Sequence, residues 1–175
     1  MIKIARAPVR VDFAGGTTDI YPFTARYGGC VLNAAINRHV KGKLISTIDN
    51  TKLFYSANIP TGSGLGTSSA MTVAWLGLVS QIRDKKKIAD TVYKLEQDMG
   101  IVGGKQDQYA ASFGGINLWD FGKDEVRRVP VILSKKTVRN LESRLFLVYV
   151  GKPRYSSSVN GKIINNLKAG HKSTI

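Results

Sequence analysis

Residues 60–75 read Pro-Thr-Gly-Ser-Gly-Leu-Gly-Thr-Ser-Ser-Ala-Met-Thr-Val-Ala-Trp. Gly62, Gly64 and Gly66 alternate, which lets the backbone turn sharply and bare its N–H groups. Thr67, Ser68 and Ser69 follow, all residue types that favour a helix N-cap. An apolar run then continues to Val79. The pattern predicts a glycine-rich loop feeding the N-terminus of a buried helix. Such an end gathers unpaired N–H donors and about half a positive charge, so it suits a phosphate group. Pro60, Gly62, Ser63, Gly64, Leu65 and Gly66 would form the cradle. The hydroxyls of Thr67, Ser68 and Ser69 would add hydrogen bonds or a ligand to Mg²⁺. The loop is not a Walker A loop, because no Lys precedes the hydroxyls at the required spacing. A glycine loop that only turns a corner is the alternative, and three glycines alone do not decide between the two.

Working outward, residues 2–14 cluster Ile, Val and Phe and predict one or two strands broken near Pro8. Residues 15–29 are rich in turn formers. Residues 30–37 and 40–47 predict two strands of a hairpin, and 52–55 a further short strand. Ile88, Val92, Leu95 and Met99 form a helical stripe that predicts a helix over about 85–99, stopped at Gly100. Glu96 lies at the edge of that stripe and by itself reads as a surface acid. Residues 101–115 predict a short helix bounded by glycines, with Asp107 in its first turns and Tyr109 and Phe113 in the core. Residues 116–119 and 125–129 predict a strand pair around the turn 122–124. The run Arg-Leu-Phe-Leu-Val-Tyr-Val at 144–150 predicts a buried strand. Residues 156–167 predict a helix with Val159, Ile163 and Leu167 on one face.

The chain has 175 residues, which suits one domain or one domain and part of another. Cys30 is the single cysteine. An internal disulfide is therefore excluded, and a reducing, cytoplasmic setting is expected with Cys30 as a small buried strand residue. No apolar run is long enough to span a bilayer. The formal charge is +14. Residues 134–175 hold nine Lys or Arg against one acid, Glu142, and so carry +8 of it. An attraction for phosphorylated small molecules, a polyanion-binding surface and a solvated basic face all fit. No aromatic signature of RNA binding accompanies the charge, so nucleic acid ranks lowest. His39 and His171 are too isolated to argue for a metal site.

Three stretches in this order resemble the GHMP kinases, the group of galactokinase, homoserine kinase, mevalonate kinase and phosphomevalonate kinase. They are Ala-Pro-Val-Arg-Val-Asp-Phe-Ala-Gly-Gly-Thr-Thr-Asp at 7–19, the loop at 60–70, and Gly-Gly-Lys-Gln-Asp-Gln-Tyr-Ala-Ala-Ser-Phe-Gly-Gly at 103–115. The pattern looks most like the branch that phosphorylates D-glycero-D-manno-heptose 7-phosphate, with the fucokinase and galactokinase branches next. The resemblance implies an α+β fold: residues 1–140 as an ATP-binding amino-terminal domain like domain 2 of ribosomal protein S5. Residues 141–175 would be only the first strand and helix of a ferredoxin-like second domain. The family's third glycine-rich motif has no counterpart here.

The resemblance also implies roles. Asp107 matches the family's catalytic aspartate, where a carboxylate takes the proton of the acceptor hydroxyl and orients it. Arg10 matches a basic residue that stabilises charge on the transferred phosphoryl group. Asp19, with Gly15, Gly16 and Gln106 around it, falls where sugar-kinase members bind the sugar. Asp19 also reads as an Asx-turn residue beside the two glycines. Ser68 aligns with the hydroxyl that binds Mg²⁺, in a register uncertain by one among Thr67, Ser68 and Ser69. Glu96 stands eleven residues before Asp107, the spacing of the family's Mg²⁺-binding glutamate. The expected function is transfer of the γ-phosphoryl group of ATP, with Mg²⁺, to a hydroxyl of a sugar or sugar phosphate. The competing expectation is a non-catalytic nucleotide-binding module, or a half-enzyme that self-associates or needs a second chain to cover the face of Val159, Ile163 and Leu167.

Overall fold

A computed structural model describes residues 1–60, 62–151 and 156–169, the side chains of 156–158 excepted. His171 lies outside the described residues. The elements run β1 (Ile2–Ala14), α1 (Phe23–Tyr27), β2 (Gly29–Ser46), β3 (Thr51–Ala57), α2 (Thr67–Val79), α3 (Lys85–Asp98), α4 (Gln106–Phe113), β4 (Ile116–Phe121), β5 (Val126–Pro130), α5 (Lys135–Glu142) and α6 (Ser156–Lys168).

The long strand β2 is the spine of one antiparallel sheet. Strand β1 lies along one of its edges. The other edge is shared, with β4 against Gly29 to Ala34 and β3 against Val40 to Ser46. Strand β5 pairs with β4. Helices α2, α3 and α4 cover one face. The arrangement is the α+β class that the resemblance implies.

Two apolar clusters glue helices to sheet. One joins Ala7, Val9 and Val40 of the sheet to Ala70, Val73, Ala74 and Leu76 of α2. The other joins Val31, Trp119 and Phe121 to Ala89 of α3 and Tyr109 of α4. Tyr109 and Phe113 pack edge-on against Trp119 at 5.2 and 5.3 Å between ring centroids. The Trp119 indole N–H donates to Asn33 Oδ1 at 3.0 Å, so this fully buried ring leaves no polar atom unpaired.

Four expectations need correction. The hairpin expected across 30–47 is a single strand. Between the pairs Pro8–His39 and Arg10–Ala35, β1 uses one residue where β2 uses three. Arg38, expected in the turn between the two strands, sits in that bulge with Ile36 and Asn37 instead, and a bulge re-aims the side chains that follow it. The same shift answers the expected break near Pro8: β1 stays one strand. Residues 144–150 do not form a strand, and Phe146, Val148 and Val150 are each more than four-fifths exposed. An apolar run needs ladder partners to become a buried strand, and none among the described residues pairs with it. Cys30 is in a strand but exposed.

Helix α3 turns by one position from its expected stripe. Ala89, Val92 and Glu96 are its buried residues, while Met99 is exposed. Helix α6 covers only part of its expected apolar face, since Val159 is exposed and Ile163 half-buried. Leu167 is buried, its carbonyl accepts from Arg26 Nη1 at 2.8 Å, and Asn160 Nδ2 donates to the Val102 carbonyl at 3.1 Å. Two elements have no counterpart in the sequence reading, the short α1 and the exposed α5, which Ser134 caps by accepting from the Thr137 N–H.

Candidate active site at the start of helix α2

Gly62, Gly64 and Gly66 all take left-handed φ angles, 69°, 75° and 73°. An L side chain is strained at such angles, so glycine is what lets this loop coil and turn its N–H groups the same way. Gly66 caps α2, and no side chain caps it further. The first N–H groups of α2 therefore face the loop with the positive end of the helix behind them.

The bulge in the sheet delivers Arg10 to this loop. Its backbone N–H donates to the Leu65 carbonyl at 3.1 Å, and Nη1 donates to the Gly64 carbonyl at 2.7 Å. Nη2 pairs with Asp107 Oδ1 at 2.5 Å, and Nε lies 3.4 Å from Asp12 Oδ1. One guanidinium thus ties the glycine loop to two carboxylates. Asp107, in the first turn of α4, sits directly against the loop. A β-carbon added to Gly66 would stand 3.0 Å from Asp107 Cγ and 3.1 Å from its Oδ1. Three segments distant in sequence meet here within van der Waals contact.

Behind Asp107 lies Gln106, buried between two further acids. Its backbone N–H donates to Asp19 Oδ2 at 2.9 Å, and its side-chain amide, turned so that the nitrogen faces Asp12, donates to Asp12 Oδ2 at 3.1 Å. Asp19 is itself buried, which pushes its carboxyl up to about 6 despite the hydrogen bond from Gln106. Burial likewise raises Asp12, against the pull of Arg10. Gly104 makes room for this packing, because a β-carbon there would fall 1.9 Å from Asp19 Oδ2. Gly16 backs Asp12 in the same manner at 3.2 Å. Gly15 packs onto the Cys30 carbonyl, so its glycine serves the turn of the chain.

A second group forms on the far side of the helix start. Ser69 is buried and its Oγ donates to Glu96 Oε2 at 3.1 Å. Gln108 Nε2 donates to the same oxygen at 2.5 Å. Glu96 Oε1 is buried and accepts no hydrogen bond. Burial raises the Glu96 carboxyl, opposed by the hydrogen bonds from Gln108 and Ser69. A hard divalent cation wants carboxylate and hydroxyl oxygens, and this pair with one oxygen unspent fits Mg²⁺. The hydroxyl that reaches Glu96 is Ser69; Ser68 is exposed. Ser63 Oγ and Thr67 Oγ1 are both buried in the loop without a partner, and Pro60 and Gly64 are exposed.

Residues 30–115 match the family model described as the GHMP kinases N terminal domain. This stretch is similar to the GHMP kinases N terminal domain. Among curated relatives, the chain is 29% identical to the D-glycero-alpha-D-manno-heptose 7-phosphate kinase of Campylobacter jejuni, with 88% of this chain and 61% of the relative covered. It is 30% identical to the bifunctional fucokinase/GDP-fucose pyrophosphorylase of Arabidopsis thaliana, with 90% and 21% covered. Among solved structures, a D-glycero-D-manno-heptose 1-phosphate kinase from Bacteroides thetaiotaomicron superimposes with a TM-score of 0.73 at 29% identity, over 82% of this chain and 64% of that one. The chain therefore spans less than two thirds of each of these relatives.

At this site, Asp12 and Gln108 were not among the expected residues. Asp12 stands two residues after Arg10 on one strand, a spacing that puts both on one face. Gln108 stands between Asp107 and the core residue Tyr109, and a polar residue there reads as solvated although it is buried. The positions of Gly104 and Gly16 against carboxylates carry no signal in the sequence alone.

Proposed function

We propose that this chain is the nucleotide-binding part of a kinase that transfers the γ-phosphoryl group of ATP to a hydroxyl of a sugar or sugar phosphate, in the manner of a heptose 7-phosphate kinase. The observation that carries the reading is the contact of the Asp107 carboxylate with Gly66 at the start of α2. A carboxylate so placed lies beside the site where a helix N-terminus and coiled loop would hold a nucleotide's phosphates. It can accept the proton of an acceptor hydroxyl and aim its oxygen in line at the γ-phosphorus. Arg10 keeps loop and acid at a fixed separation and supplies positive charge where it builds up on the transferred group. Glu96 with Ser69, or Ser68 from the exposed side, would hold Mg²⁺. When bound, that ion would offset the charge of the phosphate oxygens. Asp19 and Gln106, with the turn through Gly15 and Gly16, would receive the sugar.

The finer division follows the same reading. Residues 1–140 make the ATP-binding unit, arranged like domain 2 of ribosomal protein S5, and residues 141–175 belong to a second, ferredoxin-like unit. Dependence on ATP and a single exposed cysteine suit the cytoplasm. A second reading is favoured by one observation. The exposed apolar side chains of 145–150 suit a half-enzyme whose cleft is completed by another chain or another copy.

Coupled ADP release with a panel of hexoses, heptoses and heptose phosphates, alongside calorimetric titration with ATP and Mg²⁺, separates the two. Turnover with one sugar supports the kinase. Nucleotide binding without turnover supports the half-enzyme. A folded chain that does neither overturns both.

A further inference from the structure

Helix α2 packs on one face of strands β1 and β2. Ala5 and Gly42 lie beneath it: a β-carbon added to Gly42 would stand 2.8 Å from Leu78 Cδ1, and one added to Gly77 would stand 3.5 Å from Ala5 Cβ. Alternation along a strand sends the residues on either side of Ala5 and Gly42 to the opposite face. There the register sets Arg6 against Lys41 and Lys41 against Ser56 in one row, and Ile4 against Lys43 and Lys43 against Phe54 in the next. Ile4 is 66% exposed and Phe54 50%. Arg6, Lys41 and Lys43 are exposed as well. Together these side chains line an open trough of about 280 Å³. One row further along β3, exposed Lys52 lies on the same face.

Two features mark this trough as a place for an anion. Among the described residues, none of Arg6, Lys41, Lys43 and Lys52 lies within ion-pair distance of a carboxylate. Arg6 and Lys41 also stand directly opposite one another, with Lys43 two residues on along β2. Like charges opposite one another destabilise a sheet. The repulsion on this face is relieved by no acid of the described chain.

We propose that this face docks an extended, acidic segment of a partner protein that carries apolar side chains among its carboxylates. Side chains on one face of an extended chain repeat about every 6.6 Å. Lys41 and Lys43 repeat at the same interval along β2, so each can meet one acid of the segment. Ile4 and Phe54 flank Lys43 in its row and supply apolar contact. Charge and chemistry decide among the occupants. A second copy of the chain would bring the same cations face to face. Single-stranded nucleic acid is held by stacking its bases on successive aromatic rings. The trough offers one ring, Phe54, because Tyr55 is turned towards α2, with Cε1 3.3 Å from the place of a Gly42 β-carbon. An acidic segment with apolar side chains answers both the cations and the exposed Ile4 and Phe54. The surface lies across the sheet from α2, so the proposal stands apart from the kinase reading.

The test is fluorescence anisotropy with the full chain and no nucleotide. The probes are a labelled peptide of four Asp-Asp-Leu repeats, its Asp-Asp-Ser counterpart of equal charge, oligo(dT), and phosphatidylserine vesicles by co-sedimentation. The parent is compared with Lys41→Glu/Lys43→Glu and with Lys135→Glu/Lys136→Glu, an equal change of charge on exposed α5. The proposal expects the Asp-Asp-Leu peptide to bind the parent and the α5 variant alike, and the β2 variant at least tenfold more weakly. It expects the Asp-Asp-Ser peptide to bind the parent several-fold more weakly than the Asp-Asp-Leu peptide. Should the glutamates disturb the sheet, Lys41→Thr/Lys43→Thr keeps strand-forming residues at both positions and must lose the binding too. Equal weakening in the β2 and α5 variants would assign the binding to the basic surplus as a whole and overturns the proposal, as does binding retained in the threonine variant. Equal binding of the two peptides overturns the apolar part. Tighter binding of oligo(dT) or of the vesicles, lost in the β2 variants, overturns the protein partner in favour of nucleic acid or a membrane.

Discussion

Asp107 and Asp19 are neighbours in space with opposite demands on them. Asp107 is half-open to solvent and paired with Arg10. Replacing it by Asn keeps the shape and the contact with Gly66 but removes the proton acceptor. We expect Asp107→Asn to lower phosphoryl transfer by about 10²–10⁴-fold, the usual worth of a general base, while ATP titrations change little. An Asn variant as fast as the parent in the coupled ADP assay would remove Asp107 from the chemistry. Asp19 sits in the interior, and its carboxyl is raised from 3.8 to about 6 by burial. A raised carboxyl means that the folded chain holds this proton more tightly than the unfolded chain. Between pH 3.8 and about 6 folding therefore takes up a proton, and stability falls as pH climbs through that window. Above it the ionised, buried group costs about 3 kcal/mol; below it the cost is gone. Asp19→Asn should then gain stability over the parent at pH 7.5 and lose that gain towards pH 3.5. Urea unfolding at both ends of the range checks this, and a gain independent of pH would show that the group is not strained by its burial. The conflict between stability and charge at Asp19 is what a binding residue, rather than a core residue, would be expected to carry.

At the scale of elements, the loop and helix α2 are held by backbone geometry more than by side chains. Gly66 has φ 73° and lies against Asp107. Gly66→Ala would therefore meet two objections at once, a left-handed backbone that L residues avoid and a β-carbon pressed on the carboxylate. We expect a loss of about 1–3 kcal/mol and weaker ATP binding from the same substitution. Gly64 has a similar φ but nothing within 4 Å of a β-carbon. Gly64→Ala should thus cost the smaller part, the strain alone. Thermal unfolding of the two variants side by side measures the difference, and equal losses would mean that Asp107 does not press on the loop. Much of this was legible in the sequence. The alternating glycines before a run of hydroxyls point to a coiled loop and a helix start, because only glycine tolerates those angles freely. The stripe through α3 was legible too, but one position out. Leucine and methionine at the end of a stripe look buried, whereas the fold turns Glu96 inward to meet Ser69 and Gln108. No periodicity argument would place an acid at the centre of a buried face, since its cost is offset only by partners from other elements.

Over the whole molecule, the basic surplus and the uncovered apolar run belong to the same end of the chain. Residues 145–150 expose Leu145, Phe146, Leu147, Val148, Tyr149 and Val150. A contiguous patch of this kind seeks cover. We expect this chain to bind a hydrophobic dye and to sediment with a concentration-dependent mass, and Phe146→Lys with Val148→Lys to reduce both. A parent chain that stays monomeric at high concentration would rule out self-association through this run. The candidates Arg10, Glu96 and Asp107 came from the resemblance of three motifs to a known family, whereas the sequence by itself determined the order of most elements, the glycine loop and the pairing of the strands expected at 116–119 and 125–129. Those follow from local rules: which residues tolerate which dihedral angles, and which faces repeat with a helical or strand period. Only the tertiary structure decided that residues 29–46 run as one strand. A bulge of three residues against one is set by the neighbouring strand and not by the residues in it. The same holds for the cleft. Arg10 bonds residues 54 and 97 positions further along the chain, and Asp19 bonds one 87 positions further along. Contacts at such separations are written in how β1, α2 and α4 pack together, and no stretch of the chain taken alone contains them.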